Sequence, residues 1–275
     1  MFFLVSCASF GKINKIYDTS GQKNISIEDF VQKVGRNQVH FMGEFHNTLE
    51  IQNAQARIIK EITLHENRKN QFTIHWEFLN HTEKDEILKS LTKLKNKQMN
   101  ATQFITKHAG KQNLEYTSII ELLDLYNGYI NPLNIPRSIK QKIIKEGIES
   151  INQSLIPYHH YVGGPDYLER FRAVMGDHVS EDLMLKYFEV QCLTDSIMAN
   201  EISTNMGTPL NFIIAGSFHT DFHSATVERL KKLTPKKIIT YKFVSKNTSS
   251  KKEINAYLKG DKRYGAYADF IIITE

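Results

Sequence analysis

Cysteine is scarce in this chain: Cys7 and Cys192 are the two in 275 residues. Cys7 lies near the start. Cys192 lies in an apolar, strongly helical stretch, where it reads as a small buried hydrophobe, so no disulfide between them is expected. No run of the roughly 18 apolar residues that a spanning helix needs occurs, which excludes a transmembrane helix. A basic stripe is missing too. The net charge of +5 suits nucleic acid, an anionic membrane surface or a carboxylated ligand, but the lysines are scattered without interleaved aromatics, so nucleic-acid binding is not expected. No repeat of solenoid length is visible, and only Lys246 to Lys252 is compositionally biased. What remains is ordinary for a globular protein. The 41% of hydrophobic residues and 24% of charged ones allow a sizeable core within one domain.

Leu4-Val5-Ser6-Cys7 has the form of a lipobox, in which cleavage before the Cys leaves a thiol that receives a diacylglycerol. Met1-Phe2-Phe3 reads as the remnant of an apolar h-region, and a charged n-region is absent. The expectation is a lipid anchor at Cys7 on a bacterial cell envelope protein. With no Asp after Cys7, the outer membrane is favoured. Residues 1–25 then comprise the signal remnant and a tether from Ala8 to about Ile25, flexible at Gly11, Ser20 and Gly21. The competing reading is the frayed apolar start of a cytosolic protein.

The remainder, 26–275, reads as one domain. A helix opens at Ile27 behind the cap Ser26. Gln38 to Met42 and Phe72 to Phe78 read as buried strands, separated by a helix in which Ile51, Ala54, Ile58, Ile62 and His65 recur at helical spacing. Helices are expected over Glu83–Lys97, Tyr116–Tyr126 and Ser138–Asn152, with a break at Asn131–Pro136, and two more fill Pro165–Met206. Alternation returns with strands at Leu210–Ala215, Ile238–Val244 and Asp269–Thr274, and helices at Ala225–Leu233 and Glu253–Leu258. This pattern predicts an α/β fold, a mostly parallel central sheet flanked by helices, with a helical insertion or lid at about 83–206.

Two strands end alike, in Gly43-Glu44-Phe45-His46 and Gly216-Ser217-Phe218-His219. Ligands of open α/β sheets bind at the carboxyl ends of the strands, and a Gly there lets the chain turn and deliver polar side chains. His46, His219, Glu44 and Glu77 therefore form a candidate set for a divalent metal or for a ligand's carboxylates. Against it stands the bland alternative that each His satisfies local backbone groups. Gln191, Asp195 and Met198 share one helical face and read equally as a bracing hydrogen-bond network or as part of a site.

Taken in order, Gly43-Glu44-Phe45-His46 with Gln52 or Gln55, Trp76-Glu77-Phe78, Asn134-Ile135-Pro136-Arg137, Gln191-x-x-x-Asp195-x-x-Met198-Ala199 and Gly216-x-x-His219 resemble the ChaN-like haem-binding family. That family is related to the Tiki, TraB and erythromycin-esterase-like proteins. The resemblance spans roughly Gln38 to Leu233. It departs where the family commonly has a second Gly and a Gly-Val-Pro segment near the last His; Ser217-Phe218 and Ser224-Ala225-Thr226 stand here instead. The resemblance implies an α/β fold, iron acquisition and haem as ligand.

Haem needs an apolar slot, partners for its propionates and an axial ligand, and a Tyr phenolate suits the ferric state expected outside the cytoplasm. Pro157-Tyr158-His159-His160-Tyr161, beside a Gly163-Gly164 hinge, is the richest source of such ligands. Arg170 and Arg172 are candidates for the propionates, and His178 for a further contact. An exposed iron site implies a homodimer closing on two haems and a place beside the outer-membrane haem and iron uptake machinery. The rival reading is a metal-dependent hydrolase at His46, His219, Glu44 and Glu77, in which the metal lowers the pKa of a bound water.

Overall fold

A computed structural model describes residues 11–34, 39–176 and 179–275. Cys7 and His178 lie outside them. In chain order the elements are β1 (Ile13–Asp18), β2 (Lys23–Ile25), α1 (Ile27–Lys33), β3 (Val39–Glu44), α2 (Leu49–His65) and β4 (Phe72–Asn80). Then come α3 (Lys84–Lys95), α4 (Ala101–His108), α5 (Thr117–Leu125), β5 (Tyr129–Asn134), α6 (Arg137–Glu146), α7 (Pro165–Met175) and α8 (Glu181–Thr204). The chain closes with β6 (Leu210–Gly216), α9 (Thr226–Leu233), β7 (Ile238–Ser245), α10 (Lys251–Lys259) and β8 (Phe270–Thr274).

The strands form one sheet in the order β2-β1-β8-β7-β3-β6-β4-β5. From β8 to β5 all neighbours are parallel; β1 and β2 add an antiparallel edge. Every residue of β3 and β6 is buried. Helices cover both faces of these central strands, which is why they read as unbroken apolar runs rather than as alternation. One face carries Met42, Trp76, Phe212, Ile214 and Phe243 against apolar residues of α1 to α5. The other carries Phe41, Ile213 and Ala215 against Met198, Ala199 and Ile202 of α8 and Val227 and Leu230 of α9. Ser26 caps α1 and Ser180 caps α8, each accepting a first-turn N–H, a contribution of about 1 kcal/mol apiece.

Two expectations need correcting. The segment assigned to a flexible tether folds from Ile13 onward. β1 pairs along β8, Ile16 opposite Ile272, because it supplies an outer row to a strand whose other edge is taken by β7. The mostly helical stretch 83–206 also gives the sheet an edge strand, β5, and its helices divide between the two faces. Pro132 broke the sequence pattern, but an edge strand tolerates a residue without an N–H.

The connections place the site. From β3 the chain passes through α2 to β4 and β5 on one side; from β6 it passes through α9 to β7 and β8 on the other. Strand order thus reverses around the adjacent pair β3 and β6, and the crevice opens at their carboxyl ends.

Candidate functional site

The end of β3 brings Glu44 into the crevice. Gly43 is required by close approach: a Cβ there would sit 2.1 Å from Thr220 Oγ1. Glu44 is buried and receives Gln52 Nε2–H at 3.0 Å and the Tyr116 hydroxyl. Gln52 Oε1 in turn accepts the Thr48 N–H at 2.8 Å, so the start of α2 is locked to the carboxylate. Burial, and then the Glu44 charge, push the Tyr116 phenol far above its ordinary range, leaving it a fixed donor. His46 places Nδ1 3.0 Å from Glu44 Oε1, and its ring meets Phe78 edge-on at 4.8 Å.

Glu77 on β4 links the two strand ends. Its Oε2 accepts the Gly216 N–H at 2.7 Å and lies 4.0 Å from His46 Nε2, while Oε1 lies 3.3 Å from His219 Nε2. A Cβ on Gly216 would stand 2.9 Å from His46 Nε2, so this Gly is what lets the ring lie across β6. On its far side His219 donates from Nδ1 to Asp195 Oδ1 at 2.7 Å. Asp195, fully buried on α8, also accepts from Thr226 Oγ1 and Tyr167 OH, each at 2.7 Å. The Gln191 amide lies 3.2 Å from the same His219 nitrogen. A carboxylate facing that nitrogen fixes the proton there.

The result is a chain of alternating charge, Glu44–His46–Glu77–His219–Asp195. Burial alone would depress His219, but Glu77 and Asp195 flank it and raise its pKa to about 10. Burial would raise Glu77; His219, His46 and the Gly216 N–H instead hold it well below the usual carboxylate range. His46 is also drawn down by burial and more than restored by Glu44 and Glu77. With 38% of its side chain exposed against 8% for His219, His46 is the member that meets solvent.

The segment after His219 is conformationally costly. Phe222, His223 and Ala225 have φ of 61°, 55° and 56°, left-handed values that cost non-glycine residues about 1–3 kcal/mol where the surroundings over-determine them. Phe222 is held by its N–H to Tyr267 O at 2.9 Å and by the Tyr267 ring at 4.2 Å. The twist at Ala225 delivers the Thr226 hydroxyl to Asp195. This is where the sequence departs from the family's glycine-containing segment.

The aromatic loop lies on the other side of α8. Tyr158 is 97% exposed, with its ring edge-on to His159 at 5.1 Å. His160 Nδ1 lies 3.0 Å from Ser196 Oγ. Tyr161 OH donates to Glu228 Oε1 and accepts from Lys232 Nζ, both at 3.0 Å. Gly163 N–H meets the Cys192 sulfur at 3.2 Å, and Cys192 is a free, buried thiol as expected.

The sequence-derived candidates therefore fall into separate groups. His46, His219, Glu44 and Glu77 come together. Tyr158, His159, His160 and Tyr161 form a second cluster, joined to the first through adjacent α8 residues, Asp195 facing one and Ser196 the other. Arg170 turns away toward Asp221 O and Ser224 Oγ, with Phe222 beneath its guanidinium at 4.6 Å, and Arg172 pairs with Glu181. Tyr116, Tyr167 and Thr226 belong to the first cluster but give no motif signal, since each contributes a single hydroxyl from a helix start or a loop. Asp195 and Gln191 were legible as polar residues on an apolar stripe. The four strand-end residues bond to one another rather than converge on a point. Among the described residues no group of three or more His, Cys, Asp or Glu is disposed to hold a metal ion.

A family described as haem-binding uptake, Tiki superfamily, ChaN, matches residues 30–230. No curated protein matches the chain. Among solved structures, that of cofacial haem binding to ChaN of Campylobacter jejuni superposes with a TM-score of 0.72 at 19% identity, covering 95% of this chain and 96% of that one. The type III effector HopBA1 gives 0.47 at 12% identity over 87% and 88% of the two chains. A mutant of the erythromycin esterase EreC in its open conformation gives 0.43 at 12% over 85% and 77%. The family match covers most of the chain, and the fold agrees over nearly its whole length: this protein belongs to the ChaN haem-binding uptake family of the Tiki superfamily.

Proposed function

We propose that the protein binds ferric haem through the Tyr158 phenol and serves haem and iron acquisition as a lipid-anchored protein of the bacterial cell envelope. One observation carries the ligand assignment. Tyr158 is almost wholly exposed on a loop shared with His159, His160 and the exposed Val162, and among the described residues its hydroxyl has no hydrogen-bond partner. Tyr161, by contrast, is committed to Glu228 and Lys232. The residues present suit haem: an exposed phenol oxygen to meet ferric iron, aromatic and apolar surface around it, and cations close by. Bound haem would supply the iron centre; this chain's part is to present the phenol, orient the ring and hold its carboxylates.

So open a site covers one face of the ring. A second copy closing over the other face explains how a loop on the surface exclude water, and the fold shared with a structure of cofacial haem binding supports that reading. The Leu4-Val5-Ser6-Cys7 sequence supports the anchor, testable by mass spectrometry of Cys7 in the membrane fraction. Light scattering with and without haemin tests the dimer.

The deciding experiment is haemin titration of residues 9–275 followed at the Soret band. Saturable binding that weakens at least about tenfold in Tyr158→Phe, and less in Tyr161→Phe, is the expected result. A spectrum identical to free haemin, or an unchanged affinity in Tyr158→Phe, would refute the assignment.

The strand-end cluster favours a second reading. Four carboxylates and imidazoles in a crevice, with His46 half-exposed, can move protons in a hydrolysis. The donor set does not fit a metal: both nitrogens of His219 already face carboxylates. Turnover of aryl esters that disappears in His46→Gln would support this reading, and no turnover across such substrates would dismiss it.

A further inference from the structure

Near the amino ends of β4, β5 and β6, away from the crevice, Asn131, His75 and Asn211 form a buried polar row across the three strands. Asn211 Nδ2 donates to Thr208 O at 2.9 Å, so its Oδ1 is the acceptor that faces His75 Nε2 at 3.1 Å. Burial holds the His75 pKa down to about 4, so the ring is neutral and carries its one proton on Nε2. Nδ1 is therefore an acceptor. Asn131 Nδ2 donates to it at 3.1 Å and to Glu201 O at 3.2 Å. These bonds fix the orientation of the Asn131 amide. Its Oδ1 is left buried with no hydrogen-bond partner among the described residues, and an unpaired buried acceptor is costly to keep.

Asn131 belongs to the wall of a cavity of about 620 Å³, within the roughly 300–1,000 Å³ of sites that enclose a small ligand. The segments that run into β4 and β6 and the first turns of α3 form the rest of it. Two hydroxyls in the wall are ordered by their partners. Thr208 donates to Leu210 O at 2.9 Å, so the Thr73 hydroxyl, 2.9 Å from Thr208 Oγ1, donates to it and keeps its own lone pairs. Lys84, the charged residue of the lining, is turned to Asn205 Oδ1, and among the described residues no carboxylate lines the cavity. Tyr129, 48% exposed, and Leu88 give it an apolar side. The cavity is thus rich in acceptors and has no charge left for an ion.

We propose that this cavity binds a neutral polyhydroxylated ring, a monosaccharide unit. Acceptors without partners call for O–H donors, and one sugar hydroxyl supplies what Asn131 Oδ1 lacks. The C–H face of a pyranose packs on Tyr129, which offers an apolar body with a polar tip. An apolar wall with a few placed polar groups is the usual make-up of a small-ligand site. None of its lining residues belongs to the crevice or to the aromatic loop, so sugar binding stands or falls independently of haem binding.

The test is titration of the isotope-labelled full chain with D-glucose, D-galactose, D-mannose and N-acetyl-D-glucosamine at millimolar concentration. The Asn131 side-chain amide and the Tyr129 ring resonances report on it by NMR. At least one sugar is expected to shift both saturably. Tyr129→Ala, at a half-exposed position on the edge strand, should weaken that sugar at least about fivefold and leave haemin binding as it is in the wild type. No saturable shift with any of the four overturns the site, as do shifts confined to His46 and His219 in the crevice. Equal affinity in Tyr129→Ala and wild type overturns the placement. Adenosine, a flat heteroaromatic with N–H donors, is the control: if it moves the same resonances at lower concentration than every sugar, the saccharide assignment is wrong.

Discussion

Asp195→Asn tests the charge chain at its most buried link. The carboxylate accepts three hydrogen bonds of 2.7 Å, from His219, Thr226 and Tyr167. An amide of the same shape removes the charge and turns an N–H₂ toward one of those donors. Removing one partner of a buried pair costs about 3–5 kcal/mol. The lower end is expected here, since Glu77 stays 3.3 Å from the other His219 nitrogen. That is a large part of the roughly 5–15 kcal/mol that holds a domain folded. The cost depends on pH. His219 has a folded-state pKa raised from 6.5 to about 10, so its stabilisation is complete below about pH 6.5 and is lost as pH climbs through 10. The gap between wild type and variant is therefore widest near pH 6 and narrows toward pH 10, by about 1.4 kcal/mol for each unit by which the variant lowers His219. Urea unfolding at both pH values, with the His219 ring titrated by NMR, measures it. A gap of the same size at both, or a wild-type His219 titrating near 6.5, would show that the imidazole is not held charged.

Three smaller perturbations probe the surroundings. Gly216→Ala places a methyl 2.9 Å from His46 Nε2; it should cost about 1–3 kcal/mol and shift the His46 ring resonances, and an unperturbed His46 would contradict the packing. Ala225→Gly gives up a buried methyl and some chain stiffness, about 1 kcal/mol in an ordinary site, but relieves about 1–3 kcal/mol of left-handed strain; thermal melts should show no loss of stability, and a clear drop would argue against the positive φ. Burial pushes the Cys192 thiol up to about 11, so iodoacetamide should label it only after denaturation; rapid native labelling would place it at the surface.

Periodicity was enough to find most of the covering helices and the central strands. β3 and β6 announce themselves because helices on both faces demand unbroken apolar runs, and α2 because one of its faces meets the sheet, while α8 is buried all round from Cys192 to Ala199. The strand-end glycines marked the crevice for a local reason: both Gly43 and Gly216 lack the room for a side chain. Edge elements were illegible. β1 is half polar and pairs with β8 more than 250 residues away, and β5 carries a proline that reads as a break until an edge is there to accept it.

The sequence by itself determined the fold class, the family and the identity of the charged residues at the strand ends. Only the tertiary structure decided how they are used. Tyr116 reaches Glu44 across 72 positions and Thr226 reaches Asp195 across 31, so no local pattern records either contact. Packing likewise left Tyr158 in solvent while tying Tyr161, three residues later, to Glu228 and Lys232. Two neighbouring phenols of equal intrinsic chemistry were separated by what folds beneath them.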